Sequence, residues 1–340
     1  MLTNRQKLLL KAIVEEYVKQ GTPIGSKSLI DKPYLQFSSA TLRFEMAKLE
    51  ELGFLEKTHT SSGRVPSRKG YQYYVDNLLT RDYDVIDDFP SIDEIFSVSK
   101  YSNREDTIKK ALDLITDLTN YTAVALGPDL EQSRIKKIDL ILIDNSEAVL
   151  LIVTNFGNIQ NFKISIPENV DGVELKKIID SLNELLQNVP LTRVSRVINQ
   201  EISKIQLKQY MEYQETLLET FLNIFEKFAE SNYFVSGVSN IFHQKEFQEI
   251  EVLEKIVDSL VNKNNLIKLI SNNPNNLSVR IGGENEITHM DNCTIISVPY
   301  RVTDDNYGKI AIIGPTRMEY RKVIPLVEYL AKNMSKLYND

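Results

Sequence analysis

Arg43 and Lys48, preceded by Ser38, Ser39 and Thr41, set two cations and three hydroxyls into one short stretch. A guanidinium can bridge guanine O6 and N7, and an ammonium or hydroxyl suits phosphate oxygens, so this set fits base edges and backbone rather than bond breaking. A second set follows: His59, Ser61, Ser62 and Arg64. Arginine suits a narrow, negative minor groove and hydroxyls suit phosphates; His59 reads either as such a contact or as an ordinary loop histidine. Catalytic constellations are absent from the pattern. His59, His243 and His289 lie far apart and Cys293 has no neighbouring histidine, so no catalytic residue, metal or cofactor is expected. Gly282-Gly283 and Gly314-Pro315 match no phosphate-loop fingerprint and read as hairpin turns.

The elements that must carry these residues are legible. From Thr3 to Gln20, Leu9, Leu10, Ile13, Val14, Tyr17 and Val18 recur at helical spacing, with Thr3 as cap and Gly21 as stop. Ser26 opens a short second helix, and Ser38-Ser39 opens a third with Leu42, Met46 and Leu49 on its apolar stripe. Phe54 to Lys57 and Arg64 to Pro66 are two strands around a polar turn, and Ser67 caps a helix bearing Tyr71, Tyr74, Val75 and Leu78. This order predicts a winged helix-turn-helix over 1–79, with Ser38, Ser39, Thr41, Arg43, Phe44, Lys48, His59, Ser61, Ser62 and Arg64 facing DNA. The alternative is a helical domain that docks on protein and leaves Arg43 solvated.

Charge sharpens that choice. The 340 residues carry 40 Lys plus Arg against 47 Asp plus Glu, a net −7, which argues against a uniformly basic surface. Residues 1–79 alone hold about +4, so the remainder holds about −11. A basic reader on an acidic body keeps phosphate contact local, although chance variation would give the same split. The length predicts more than one domain. The single cysteine favours a reducing, cytoplasmic setting. The N-terminus lacks a signal-peptide layout, and the longest aliphatic run, Ala148 to Val153, is too short to span a membrane.

Beyond residue 79 the pattern predicts a polar linker over 80–104 and a helix over about 105–120 with Ile108, Leu112, Ile115 and Leu118 on one face. An antiparallel meander follows from Ile138 to Ile166, with further strands near Leu277–Ile281, Thr294–Val302 and Lys309–Ile313 and a closing helix. Together they read as one α+β layer, interrupted over 196–274 by a helical segment. There Met211, Gln214, Leu218, Phe221, Phe225 and Phe228 form an aromatic seam that serves either as core or as an interface.

The run from Ser38 to Gly53, its continuation Lys57-Thr58-His59-Thr60-Ser61-Ser62-Gly63-Arg64-Val65-Pro66, and Lys69-Gly70-Tyr71-Gln72-Tyr73-Tyr74-Val75-Asp76 resemble the bacterial heat-inducible transcription repressor HrcA family. Leu118 to Pro128, Ile281-Gly282-Gly283-Glu284-Asn285-Glu286 and Ile313 to Tyr320 are similar to that family's body motifs, in order. The resemblance implies an α+β multidomain chain: a winged helix-turn-helix, then a GAF-like domain over 105–195 and 275–340 interrupted by a dimerising insertion over 196–274. It turns the aromatic seam (Met211, Leu218, Phe221, Phe225, Phe228) toward a second copy. It further implies repression of the groE and dnaK chaperone operons through the CIRCE inverted repeat, binding to double-stranded DNA as a homodimer, and maintenance of the active form by the GroEL chaperonin. Phe44 departs from the asparagine usual in the family, so either position 44 reads no base or the operator preference differs. The rival reading is a winged-helix regulator gated by a small ligand in its GAF-like domain.

Overall fold

A computed structural model describes every residue except 1, 31, 58–62, 88–89, 99–103, 128–132, 167–171, 202–218, 226–232, 272–275, 285–289 and 340. The chain opens with α1 (Asn4–Gln20). The Thr3 hydroxyl accepts the Gln6 N–H at 3.3 Å while the Gln6 side-chain oxygen accepts the Thr3 N–H at 3.0 Å, a reciprocal cap that satisfies two donors left free at a helix start. Gly21 ends α1 in the left-handed region at φ 67°. Leu9, Leu10, Ile13 and Val14 are buried on its inner face, as their spacing predicts. α2 (Ser26–Ile30) and α3 (Ser39–Glu51) follow, the latter burying Leu42, Met46 and Leu49.

β1 (Leu55–Lys57) and β2 (Arg64–Pro66) pair antiparallel, with Glu56 opposite Val65. Ile24 joins from the loop before α2: its N–H and carbonyl both bond Arg64 backbone at 2.9 Å, which ties the start of the helical turn to the hairpin. α4 (Arg68–Asn77) is capped by Ser67, whose hydroxyl accepts the Gly70 N–H at 3.0 Å and donates to the Gly53 carbonyl at 2.6 Å. Gly70 is required here by close approach, because a Cβ would stand 2.1 Å from the Phe54 carbonyl oxygen.

The stretch expected to be a linker is instead structured where it is described. α5 (Asp84–Asp87) and α6 (Ser91–Val98) bury Val85 and Ile92. Ile92, Ile95 and Phe96 fall at helical spacing, but the many Asp, Ser and Arg residues around them make the whole stretch read as polar. α7 (Arg104–Thr119) then buries Ile108, Ala111, Leu112 and Ile115 and leads into β3 (Thr122–Leu126), buried throughout.

The chain next enters a separate compact unit, made chiefly of Leu126–Phe234. β4 (Ile135–Leu142), β5 (Glu147–Thr154) and β6 (Ile159–Ser165) form a three-stranded antiparallel sheet in that order. Alternate residues of β5 point inward, so Ala148, Leu150 and Ile152 meet Leu175, Ile179 and Leu182 of α8 (Gly172–Leu186). The Asn183 amide fixes that packing: it donates to the Ile138 carbonyl at 2.6 Å and accepts the Ile138 N–H at 2.7 Å. Val194 and Ile198 of α9 (Val194–Glu201), together with Phe221 and Phe225, complete this core.

β7 (Tyr233–Ser236) returns the chain to the first unit, which also holds α10 (Ile250–Val261), α11 (Lys263–Ser271), β8 (Ser278–Ile281), most of β9 (Cys293–Arg301) and β10 (Tyr307–Pro315), and most of α12 (Tyr320–Asn339). The five strands are ordered β7-β3-β10-β9-β8. The meander therefore does not share a sheet with the C-terminal strands, and the expected single layer is two sheets. The insertion leaves after β3 and ends at β7, neighbours in the sheet, so it begins near 126 rather than 196, and residues 235–271 belong to the first unit. Alternation along a strand shows which face is buried but not which sheet it joins.

α12 contains Pro325, which has no N–H to offer the Arg321 carbonyl one turn back. The Asp82 N–H bonds that carbonyl instead, at 3.0 Å. Arg81 adds a fork to both oxygens of Glu328 at 2.7 and 2.9 Å, and Asp93 accepts the Tyr329 hydroxyl. Within this unit the segment after α4 is thus fastened along α12.

Candidate nucleic-acid interface

The exposed face of α3 begins at Ser38, whose hydroxyl accepts the Thr41 N–H at 3.2 Å and caps the helix. The Thr41 hydroxyl lies 2.9 Å from the Ser38 hydroxyl, and Ser39 Oγ lies 3.2 Å from Ser26 Oγ at the start of α2. These three hydroxyls thus organise the helix start. Arg43, Phe44 and Lys48 project beyond them and are exposed. Arg43 Nε donates to Ser26 Oγ at 3.2 Å, so α2 orients the guanidinium before any partner arrives. Lys48 Nζ stands 4.4 Å from the Phe44 ring centroid, a cation–π placement.

The carboxylates of α3 are mostly turned away from this face. Glu45 is buried against α1, where Gln6 Nε2 donates to it at 3.1 Å and Arg5 Nη1 lies 3.5 Å away. Glu50 holds Arg64 and Lys57, the latter at 3.7 Å, and Glu51 stands at the far end of the helix. The outward face is therefore left with Arg43 near the helix start, where the helix dipole adds to its charge, and with Lys48 in the last turn. Lys32 packs beside α1 through a hydrogen bond to Glu16, and that bond raises the Lys32 pKa.

Arg64 lies differently from its expected place on the DNA backbone. Nε and Nη2 both lie 2.6 Å from Glu50 Oε2, and the side chain is only 12% exposed. Its reach is spent joining β2 to α3, because Glu50 stands directly beneath the hairpin. His59, Ser61 and Ser62 lie outside the described residues, as do Met211, Leu218 and Phe228. Phe221 and Phe225 are 1% and 2% exposed inside their own unit, so the expectation that they face a second copy is corrected: that part of the seam is core. Ser26 was expected only to open α2, and its bond to Arg43, like the roles of Glu45 and Glu50, was hidden because the partners are distant along the chain or sit on other elements.

α1 and α4 also pack against the body within the first unit. Arg317 Nη1 donates to the Val18 carbonyl at 2.8 Å, among the carbonyls left open at the end of α1, while its Nε bonds Glu246 at 2.6 Å. Tyr71 and Tyr320 rings lie 6.1 Å apart. Nearby is a cavity of about 320 Å³ whose lining includes Glu15, Lys19, Tyr74, Asp82, Arg321 and Lys322. Tyr74 donates to Glu15 at 3.3 Å; burial first, and the Glu15 charge second, push its pKa up. Among the described residues no group of three or more His, Cys, Asp or Glu side chains could hold a metal ion, and no helix is long and apolar enough to cross a membrane.

Residues 105–324 match the family model described as the HrcA protein C terminal domain. The chain is 47% identical over 340 residues to the heat-inducible transcription repressor HrcA of Acholeplasma laidlawii (strain PG-8A), covering 100% of this chain and 98% of that protein. It is 42% identical over 343 residues to the heat-inducible transcription repressor HrcA of Phytoplasma australiense, covering 100% of both. A solved structure described as a hypothetical protein at 2.2 Å resolution is similar in fold, with a TM-score of 0.70, 21% identity and 99% of each chain covered. The identity over the whole length shows that the chain belongs to the heat-inducible transcription repressor HrcA family.

Proposed function

We propose that the chain is a transcription repressor of heat-shock chaperone operons that binds duplex DNA as a homodimer and performs no catalysis. Residues 1–79 read as a winged helix-turn-helix in which α3 enters the major groove and the β1–β2 hairpin lies along the backbone. The observation that carries this reading is the outward face of α3: Arg43 held ready by Ser26, Lys48 against the exposed Phe44 ring, and Glu45 and Glu50 engaged elsewhere. The five-stranded sheet with its helices reads as the GAF-like domain, and the unit inserted between β3 and β7 as the dimerising domain. A dimer places two recognition helices about a two-fold axis, which suits the inverted repeat CIRCE ahead of groE and dnaK.

Family membership supports a second element, maintenance of the active form by GroEL. Chaperonin occupied by unfolded clients would leave less for the repressor, so operator release follows from mass action. A gel shift with a CIRCE duplex and a duplex of scrambled halves tests recognition; equal affinity overturns it. Adding chaperonin tests the second element. If GroEL neither slows aggregation nor raises operator occupancy, that element fails while DNA recognition stands.

A further inference from the structure

Phe44 is 57% exposed on a helix that buries Leu42, Met46 and Leu49 to 3% or less. It shares the outward face with Arg43, directly before it in sequence, and with Lys48 one turn later. One exposed aromatic alone would mean little, since folded proteins expose many apolar atoms. Its setting is what distinguishes it. Lys48 Nζ lies over the ring at 4.4 Å, which restrains the side chain, and the neighbouring cations disfavour an apolar protein surface as its partner. They favour a polyanion, and in a polyanionic groove the apolar group a base edge displays is the thymine 5-methyl.

We infer that Phe44 is a specificity-determining residue that reads a thymine methyl beside the base contacted by Arg43, with Lys48 as the positioning residue for its ring. The inference rests on the proposed DNA-binding reading. Hydrogen-bond donors on α3 distinguish bases by their polar edges, whereas Phe44 distinguishes thymine from cytosine and from uracil by shape and hydrophobicity alone. Removing one methyl from such a contact corresponds to about a fourfold loss of affinity.

The test uses the full-length protein and CIRCE duplexes in which each thymine is replaced singly by deoxyuridine, read by fluorescence anisotropy at fixed salt. Wild type should lose about fourfold at one thymine position of each half-site. Phe44→Ala should bind the unmodified operator more weakly and show a flat response across the deoxyuridine series; Phe44→Leu should recover part of the response. Lys48→Ala should shrink the methyl response and also reduce the salt slope by about one phosphate contact. Thermal melts of the variants check that the exposed substitutions leave folding intact. A flat wild-type series, with the operator still preferred over scrambled DNA, overturns the inference and leaves the DNA-binding reading standing. No preference for operator over scrambled DNA overturns both. A flat series together with loss of self-association in Phe44→Ala assigns the ring to a protein interface and likewise overturns the inference.

Discussion

Arg64 gives Nε and Nη2 to a single oxygen of Glu50, each at 2.6 Å. The pair connects β2 to the last turn of α3, so the hairpin and the proposed recognition helix are held as one body. Lys57, across the hairpin from Arg64, approaches the other Glu50 oxygen at 3.7 Å.

Arg64→Ala should therefore act through structure. Stability should fall by about 1–2 kcal/mol, less than for a fully buried pair because Glu50 remains 28% exposed. Operator affinity should fall with it while the salt slope stays unchanged, and Glu50→Ala should do the same. Urea denaturation and binding isotherms over a salt series check both. A slope shallower by about 0.9 in Arg64→Ala alone would put its guanidinium on a phosphate.

Ser26 is the partner that presents Arg43. Arg43→Ala should relax base preference at one position of each half-site by about 1–3 kcal/mol. Ser26→Ala should lose a smaller part of the same discrimination, about 1 kcal/mol, by freeing the guanidinium. Competition binding against duplexes mutated one base pair at a time measures the two. Loss spread evenly over all positions would contradict a base contact.

Gly70 leaves room for the Phe54 carbonyl where a side chain would need it. Gly70→Ala should destabilise the chain by about 1–3 kcal/mol, because backbone rather than a flexible side chain must move. Gly25, with nothing within 4 Å of a built Cβ, should accept alanine with little change. Thermal unfolding of the two variants side by side gives the comparison.

Cys293 is fully buried, and burial pushes its thiol up to about 12 from an ordinary value of 9. The proton is held more tightly in the folded chain, so this contribution to stability is complete below pH 9 and is lost as pH rises toward 12. Burial also raises Tyr121 to about 12, adding loss in the same direction above pH 10. Unfolding titrations between pH 8 and 11 should show stability falling with pH. At pH 8 the native thiol should resist a thiol reagent that modifies the unfolded chain readily.

Local signals carried much of the fold. Thr3, Ser38 and Ser67 cap the helices they were expected to cap, and Gly21 ends α1, because a cap is decided within a few residues. Arg43, Phe44 and Lys48 are exposed where the helical period places them. Features set by distant pairing were hidden. The antiparallel meander of β4, β5 and β6 was legible from its turns, but nothing in the alternation of β5 tells that this sheet stands apart from β9 and β10. Nothing near Arg64 in sequence points to Glu50, and Phe221 and Phe225 fit core and interface equally well until Leu175 and Ile179 are placed against them. The stretch after α4 is polar on average, and its order comes from α12.

The bond from Asp82 to the Arg321 carbonyl is made by main chain on both sides, at a vacancy that Pro325 creates in its own helix. The Asp82 carboxylate adds an ion pair to Arg321 at 3.7 Å, but the carbonyl itself asks only for a backbone N–H, which every residue type except one can supply at position 82. A second proline is the exception. Placed at 82, it would silence the donor just as the first silences its own, and two individually harmless imino acids would leave one carbonyl with no claimant.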